Sequence, residues 1–410
     1  MADRDQASLP FELLLKVFLP FAGGYYLSYV FRTINAIISL DLVREFGLGP
    51  GDLGLLTSAY FLTFSFFQLP LGILLDRYGP RRVNAGLLLI AGGGAALFGL
   101  GRNLETLIFA RALIGLGVAG CLMSSLKVFT LWFPLNRLAT LNGWMISCGG
   151  LGALSVSMPA EALLRVTGWN TIFLGLAALT FLSAAAIFLI VPERGEPRVP
   201  QTLMQSLRGL LPILRRASFW RLGLVSIAST GVFSSLQGLW IAPWLKDVVG
   251  LGREEIGRHL LAIALGMIVG ATLWGNVFDR LMRHGVAATS VLRAGVALYL
   301  AILALLAFGV KSGTLYLLFA LSLSGQVTPL VYSMIAKDVP LELSGRATST
   351  LNFLVFMSAF FVQWGTGLII NLWPVQAGRY AAEGYAAAFT ACFALVLASY
   401  IWLWTSGKQK

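Results

Sequence analysis

The stretch Gly72–Val83, GILLDRYGPRRV, decides how the chain is read. An apolar run ends at Asp76. A basic turn follows, with Arg77, Arg81 and Arg82 around Gly79 and Pro80, and then a second apolar run begins. Any polytopic protein has charged loops beside its membrane spans, so charge alone says little. The spacing is more particular: Gly72, Asp76 four residues on, Arg77, Gly79, then two more basic residues. A weaker copy stands half a chain later, where Gly275, Asp279 and Arg280 repeat the spacing and Arg283 and Gly285 follow.

Composition sets the medium. The chain has 410 residues, 57% of them hydrophobic and 12% charged, with 45 Gly. A soluble domain averages about 25% charged residues. A globular core cannot hide this much apolar surface, whereas a bilayer can. Each crossing takes about 20 mostly apolar residues. Twelve such spans are expected, at 13–40, 52–75, 82–100, 106–132, 138–163, 169–191, 219–244, 255–278, 287–309, 313–336, 345–371 and 382–404. All must be helical, because lipid offers no partner to a free backbone N–H or C=O. The fold expected is an all-α membrane protein of two pseudo-symmetric six-helix bundles. Residues 1–191 form the first and 219–410 the second. The polar, proline-bearing segment 192–218 links them.

A net charge of +12 could suit nucleic acid, but its distribution argues against that partner. The chain ends and the even-numbered connections carry nineteen Lys and Arg; the odd-numbered connections carry eight. Positive residues gather on the cytoplasmic side, so both termini are expected there. The first ten residues are mixed in charge, and the first span is too long for a signal peptide's apolar region. Cys121, Cys148 and Cys392 all fall within spans, so no disulfide, metal site or cofactor is expected. His259 and His284 lie in or beside loops and join no catalytic pattern, and no phosphate-cradling glycine loop exists. An enzyme is not expected.

The halves repeat each other beyond the two aspartates. Pro134-Leu135 leads to Arg137, Ala139-Thr140 and Asn142 after span 4. Pro340-Leu341 leads to Arg346, Ala347-Thr348 and Asn352 after span 10. Many secondary transporters are built from internal repeats, with the substrate near the midplane between them.

The Gly72–Val83 stretch resembles the signature loop between helices 2 and 3 of the major facilitator superfamily. Arg111-Ala-Leu-Ile-Gly115-Leu-Gly117 on span 4 resembles that family's R-x-x-x-G-x-G motif. Arg32 in span 1 followed by the Asp76 loop is similar to the organic anion (anion:cation) symporter branch. So is Gly168-Trp169-Asn170…Phe173, although the branch usually has Arg where Asn170 stands. The superfamily resemblance runs the length of the chain; the branch resemblance covers mainly the first half. It implies alternating access. It also implies a conformational latch of Gly72, Asp76, Arg77, Arg81, Asp279, Arg280 and Arg346, with Asp76 capping the start of span 11, where a helix N-terminus is partly positive. Arg111 takes a coupling or structural role in that scheme. One departure matters. The branch usually carries a proton-handling carboxylate on span 4, but Val118, Ala119 and Gly120 occupy that neighbourhood, and no span has an acid at its middle. Facilitated diffusion, exchange and symport of a protonated substrate stay open. Gly149-Gly150-Leu-Gly152 on span 5 lacks the Pro of the drug antiporters' glycine motif.

A charge inside a span costs about 2.5 kcal/mol or more on insertion scales, which makes it a functional candidate. Three exist, all basic: Arg32, Arg111 and Lys127. Tyr25, Ser28, Tyr29, Arg32, Asn35 and Ser39 share an arc of about 120° on an ideal helix, so this stripe should face the cavity. Lys127 shares a face with Ser124; it either lines the cavity or snorkels to the cytoplasmic surface. In the second half the counterparts are Gln237 and Trp240 on span 7, Gln326 and Ser333 on span 10, and Asn352 on span 11. A basic wall facing a neutral, partly aromatic wall suits a small organic anion or zwitterion, since a guanidinium grips carboxylate or phosphate with two parallel bonds. The substrate-site set is therefore Arg32, Tyr25, Tyr29, Asn35, Lys127, Ser124, Gln237, Trp240, Gln326, Ser333 and Asn352. The expected protein is a monomeric transporter in the lipid of a bacterial inner membrane. The alternatives are an exporter of amphipathic compounds relying on Trp240 and Trp244, and a non-transporting sensor.

Overall fold

The computed structural model describes residues 11–194, 211–375 and 378–405. Residues 195–210 of the proposed linker, like 1–10 and 406–410, lie outside the described residues. The described chain is helical from end to end and has no extended strand. Ten helical stretches are long and apolar enough to cross a membrane. One of them, Pro50–Leu100, holds spans 2 and 3, joined at Gly79. Span 5 is Leu138–Ser155 and Met158–Val166, broken at Val156–Ser157, and completes the twelve.

Local chemistry marks the ends. Asp52 accepts the Gly49 backbone N–H at 3.3 Å where span 2 begins, with Pro50 at the first helical position. Asn103 accepts the Thr106 N–H at 2.9 Å and starts span 4. Between spans 2 and 3 the chain turns at Gly79 with φ +79°, a conformation that favours glycine.

Lipid is as apolar as leucine, so span–span contact relies on close packing of small residues. Gly115 shows how close. A Cβ there would lie 2.1 Å from the Tyr60 carbonyl oxygen, so span 4 (Leu104–Val118, then Cys121–Trp132) rests backbone-on-backbone against span 2. The halves meet along two seams. Span 2 meets span 11 (Leu341–Ile370): Phe64 and Phe356 have ring centroids 4.4 Å apart, and the Ser65 hydroxyl donates to the Phe353 carbonyl at 2.7 Å. Span 5 meets span 8 (Arg253–Arg283) where Gly150 faces Ile268.

Besides span 5, four spans are irregular near their middles, and they occupy equivalent places in the two halves. Span 1 turns at Ile34 between Leu19–Thr33 and Asn35–Phe46. Span 4 breaks at Ala119–Gly120. Span 7 widens to a π turn at Leu236–Trp240. Span 10 breaks between Thr314–Gly325 and Leu330–Asp338. Irregular backbone at membrane depth survives where protein buries it or a cavity adjoins it.

Packing at Gly115 makes a stability prediction. Gly115→Ala forces its new methyl against the Tyr60 backbone, and overpacking of this kind costs about 1–3 kcal/mol. Gly86→Ala meets open space and serves as control. In detergent, the Gly115 variant should melt several degrees earlier than the Gly86 variant; equal melting temperatures would refute the close approach.

Candidate functional site

The irregular spans surround a central cavity of about 470 Å³. Tyr25, Tyr29 and Arg32 of span 1, Gln237 of span 7, Gln326 and Ser333 of span 10, and Asn352 of span 11 all line it. Two rings from the seam between the halves, Phe64 and Phe356, complete the wall around Arg32.

Arg32 is half-buried, and its surroundings are unusual for a cation at this depth. Its guanidinium carbon lies 4.6 Å from the Tyr29 ring centroid, 5.0 Å from that of Phe356 and 5.3 Å from that of Phe64. Ring faces attract a cation but do not neutralise it. Its buried Nε has no hydrogen-bond partner. Among the described residues no carboxylate pairs with it. Neither Asp nor Glu lines the cavity. The other polar groups are neutral, and several are partnered within the wall. Gln237 Nε2 points at Met267 Sδ, 2.7 Å away; the Tyr332 hydroxyl donates to Asn352 Oδ1 at 3.0 Å; the Thr230 and Thr328 hydroxyls are 3.0 Å apart.

Four residues expected in the cavity stand elsewhere. Asn35 is buried and donates to the Thr57 hydroxyl at 3.0 Å. Ser124 is fully buried outside the lining. Lys127 pairs with the Asp76 carboxylate at the surface end of span 2. Trp240 is fully buried and donates its indole N–H to the Gln363 carbonyl at 2.9 Å. Asn35 lies beyond Thr33, and Ser124 and Lys127 beyond Met123, the last residues of spans 1 and 4 to line the cavity. Trp240 ends a π turn, so the ideal helix phase assumed for span 7 no longer holds there. Conversely, Gln68 lines the cavity and went unnoticed, although a lone Gln in the apolar run of span 2 was a visible signal; its amide donates to the Ala119 carbonyl at 3.1 Å. Tyr332, beside Ser333, was also missed.

Arg111 is spent on structure. It is fully buried, donates to the Phe31 carbonyl at 3.0 Å and lies 5.4 Å from the Tyr60 ring, holding span 4 to span 1.

Among the described residues, Asp76 and Arg81 of the latch set make their ion pairs within the first half. Asp76 binds Lys127 rather than the start of span 11. Arg81 donates to the Phe188 carbonyl at 2.8 Å and, with Arg82, faces Glu193. Arg77 lies over its neighbour Tyr78, 5.2 Å away. Gly72 is exposed, with open space where a Cβ would stand. Asp279 and Arg280 are exposed and Arg346 is half-buried. Ion pairs between the halves sit instead on the face away from the termini. Arg253 pairs with Asp41, and Arg165 reaches Glu254 at 3.4 Å. On the same face the Tyr380 hydroxyl donates to the Leu48 carbonyl at 3.0 Å. The structure is thus closed on that face, and its cavity runs from Arg32 toward the face of the termini, past Gln68 and Asn352.

Two six-span bundles, paired around a central cavity and clasped on one face, define a membrane carrier. The chain belongs to the Major Facilitator Superfamily, whose profile it matches over residues 21–363. It is 25% identical over 349 residues to a probable sulfoacetate transporter of Cupriavidus necator, covering 80% of each chain. It is 24% identical over 368 residues to a probable L-galactonate transporter of Escherichia coli K12, covering 84% of this chain and 80% of that one. A 4-hydroxybenzoate transporter of Pseudomonas putida is 30% identical over 176 residues, 40% of this chain and 39% of its own. Among solved structures, a bacterial homologue of the lysosomal transporter Spinster, inward-facing and occupied, superposes with a TM-score of 0.78 at 18% identity, covering 98% of both chains.

The outer clasp can be tested by weakening it. Both side chains of the Asp41–Arg253 pair are partly exposed, so the pair is worth about 1 kcal/mol at most, or roughly a fivefold shift in population. With Cys121, Cys148 and Cys392 replaced and a cysteine put in by Gln237→Cys, Asp41→Asn should speed thiol labelling from that face several-fold. An unchanged rate would show that the pair does not hold the face shut.

Proposed function

We propose that the protein moves a small organic anion across the membrane by alternating access, with Arg32 as the anchor for its charged group. One observation carries this: among the described residues a single guanidinium faces the central cavity and no carboxylate lines it. A bound carboxylate, sulfonate or phosphate would supply both the missing charge and the missing acceptors. The neutral wall of Gln237, Gln326, Ser333 and Asn352 would grip the hydroxyls or carbonyls of the body, while Tyr29, Phe64 and Phe356 accept apolar or aromatic parts. A cavity near 470 Å³ is of the size that holds metabolites. The relatives named for sulfoacetate, galactonate and 4-hydroxybenzoate support the same class. Positive charge gathered beside the termini supports a cytoplasmic location for both ends, and the proposal takes the chain as a monomer in a bacterial inner membrane.

The amphipathic-exporter reading loses the residues that favoured it. Trp240 is fully buried and Trp244 is 2% exposed, and neither lines the cavity.

A thermal-shift screen of purified wild type and Arg32→Ala against galactonate, 4-hydroxybenzoate, sulfoacetate, a neutral sugar and a quaternary amine tests the proposal. A ligand that binds the folded state alone raises the melting temperature by mass action. At least one of the anions should stabilise the wild type. Loss of Arg32 should weaken it on the order of tenfold to a hundredfold, the worth of hydrogen bonds to a charged group. Equal stabilisation of both proteins by the amine or the sugar would remove Arg32 from the site.

A further inference from the structure

Resting on the anion reading, we infer that the protein is an anion exchanger: its loaded form reorients readily and its empty form hardly at all. The argument concerns the charge of the moving cavity. Alternating access passes through a state in which the cavity is sealed from both faces, so whatever charge it holds must be carried without bulk water. Among the described residues Arg32 is the one cation lining it, no acid lines it, and its Nε has no partner. Lys127 is paired with Asp76, whereas Arg111, bonded to the Phe31 carbonyl and with its own Nε unpartnered, is a fixed cation packed outside the cavity, the same whether the carrier is loaded or empty. Nor, among the described residues, does an acid line the cavity that could release a proton to offset the guanidinium in the empty carrier. His259 is not a substitute, since it lies outside the cavity, held by the Glu255 carbonyl and the Thr314 hydroxyl at 2.7 and 2.9 Å.

The empty cavity therefore seals around an uncompensated charge, with the faces of Tyr29, Phe64 and Phe356 as its local relief. Desolvating one member of an ion pair without the other is strongly unfavourable. A bound monoanion brings the cavity to zero net charge and removes that barrier. The substrate thus serves as the counter-ion that a transporter with an acidic partner would keep in its own chain. One monoanion enters for each that leaves, and the loaded complex carries no net charge across the membrane. Carriers of this kind couple two anion gradients, taking up one anion at the expense of a second of like charge.

Proteoliposomes of the wild-type protein distinguish the outcomes. Uptake of radiolabelled galactonate and of radiolabelled 4-hydroxybenzoate is measured into vesicles loaded with the same unlabelled anion or with none. Binding of each is measured separately by thermal shift. Exchange predicts uptake faster by on the order of tenfold or more in loaded vesicles, given the cost of an unpaired charge at membrane depth. It also predicts an exchange rate indifferent to a potassium-valinomycin potential. Equal uptake into loaded and anion-free vesicles overturns exchange while leaving the anion reading intact. An exchange rate that follows the potential overturns the neutral loaded complex. Absence of both binding and uptake for these anions overturns the anion reading and exchange with it.

Discussion

Backbone satisfaction inside the bilayer is the constraint from which this architecture follows. Every span must be helical because an unpaired N–H or C=O facing lipid has no partner. Helices alone would make a rigid bundle without a site. The chain resolves this by breaking spans 1, 4, 7 and 10 where they face one another, at Ile34, Ala119–Gly120, Leu236–Trp240 and Gln326–Pro329. Polar side chains near the breaks then meet freed carbonyls: Gln68 donates to Ala119, and the Thr328 hydroxyl to the Gly325 carbonyl. The same irregularities shape the cavity and turn its polar residues inward. Close glycine contacts such as Gly115 on Tyr60 hold the unbroken spans around them.

Two buried arginines show how context divides one chemistry into two roles. Arg111 is fully enclosed, bonds a main-chain carbonyl and lies near aromatic rings, which fixes span 4 against span 1. Arg32 is half-buried, faces the cavity and keeps unused donor capacity. The two are linked, since Arg111 grips the carbonyl of Phe31, the residue next to Arg32. Holding that carbonyl fixes the backbone from which Arg32 projects, so a structural cation positions the cation offered to a ligand.

Most of the fold was legible because membrane spans and loop signatures are written in runs and spacings. The stretch around Asp76, the twelve apolar segments and the Pro-Leu…Arg…Asn repeat needed no three-dimensional knowledge. The cavity was legible as far as ideal helix phase held. Tyr25, Tyr29 and Arg32 precede the turn at Ile34 and share one face, as the spacing requires; Asn35 follows it and does not. On span 4 Lys127 lies one turn beyond the lining residues Leu122 and Met123, at the depth of Asp76, and pairs with it. On span 7 a π turn adds a residue to the local period, and Trp240 moves from the cavity to Gln363. A glycine-rich sequence hints at such breaks but does not fix where the phase is lost.

The placement of charge pairs explains how two states can differ by little energy. On the face of the termini, Asp76 and Lys127 close within one half, as do Arg81, Arg82 and Glu193. On the other face Asp41–Arg253 and Arg165–Glu254 close between halves. In a transition that opens the second face, those cross-half pairs separate into water, where each charge is well solvated and the loss is modest. We propose that Asp76 then trades Lys127 for the start of span 11, one partner for another. Partly exposed pairs suit such a trade. A deeply buried pair would hold one state too firmly for a carrier, and this chain keeps its deepest cation, Arg111, on a contact within a single half.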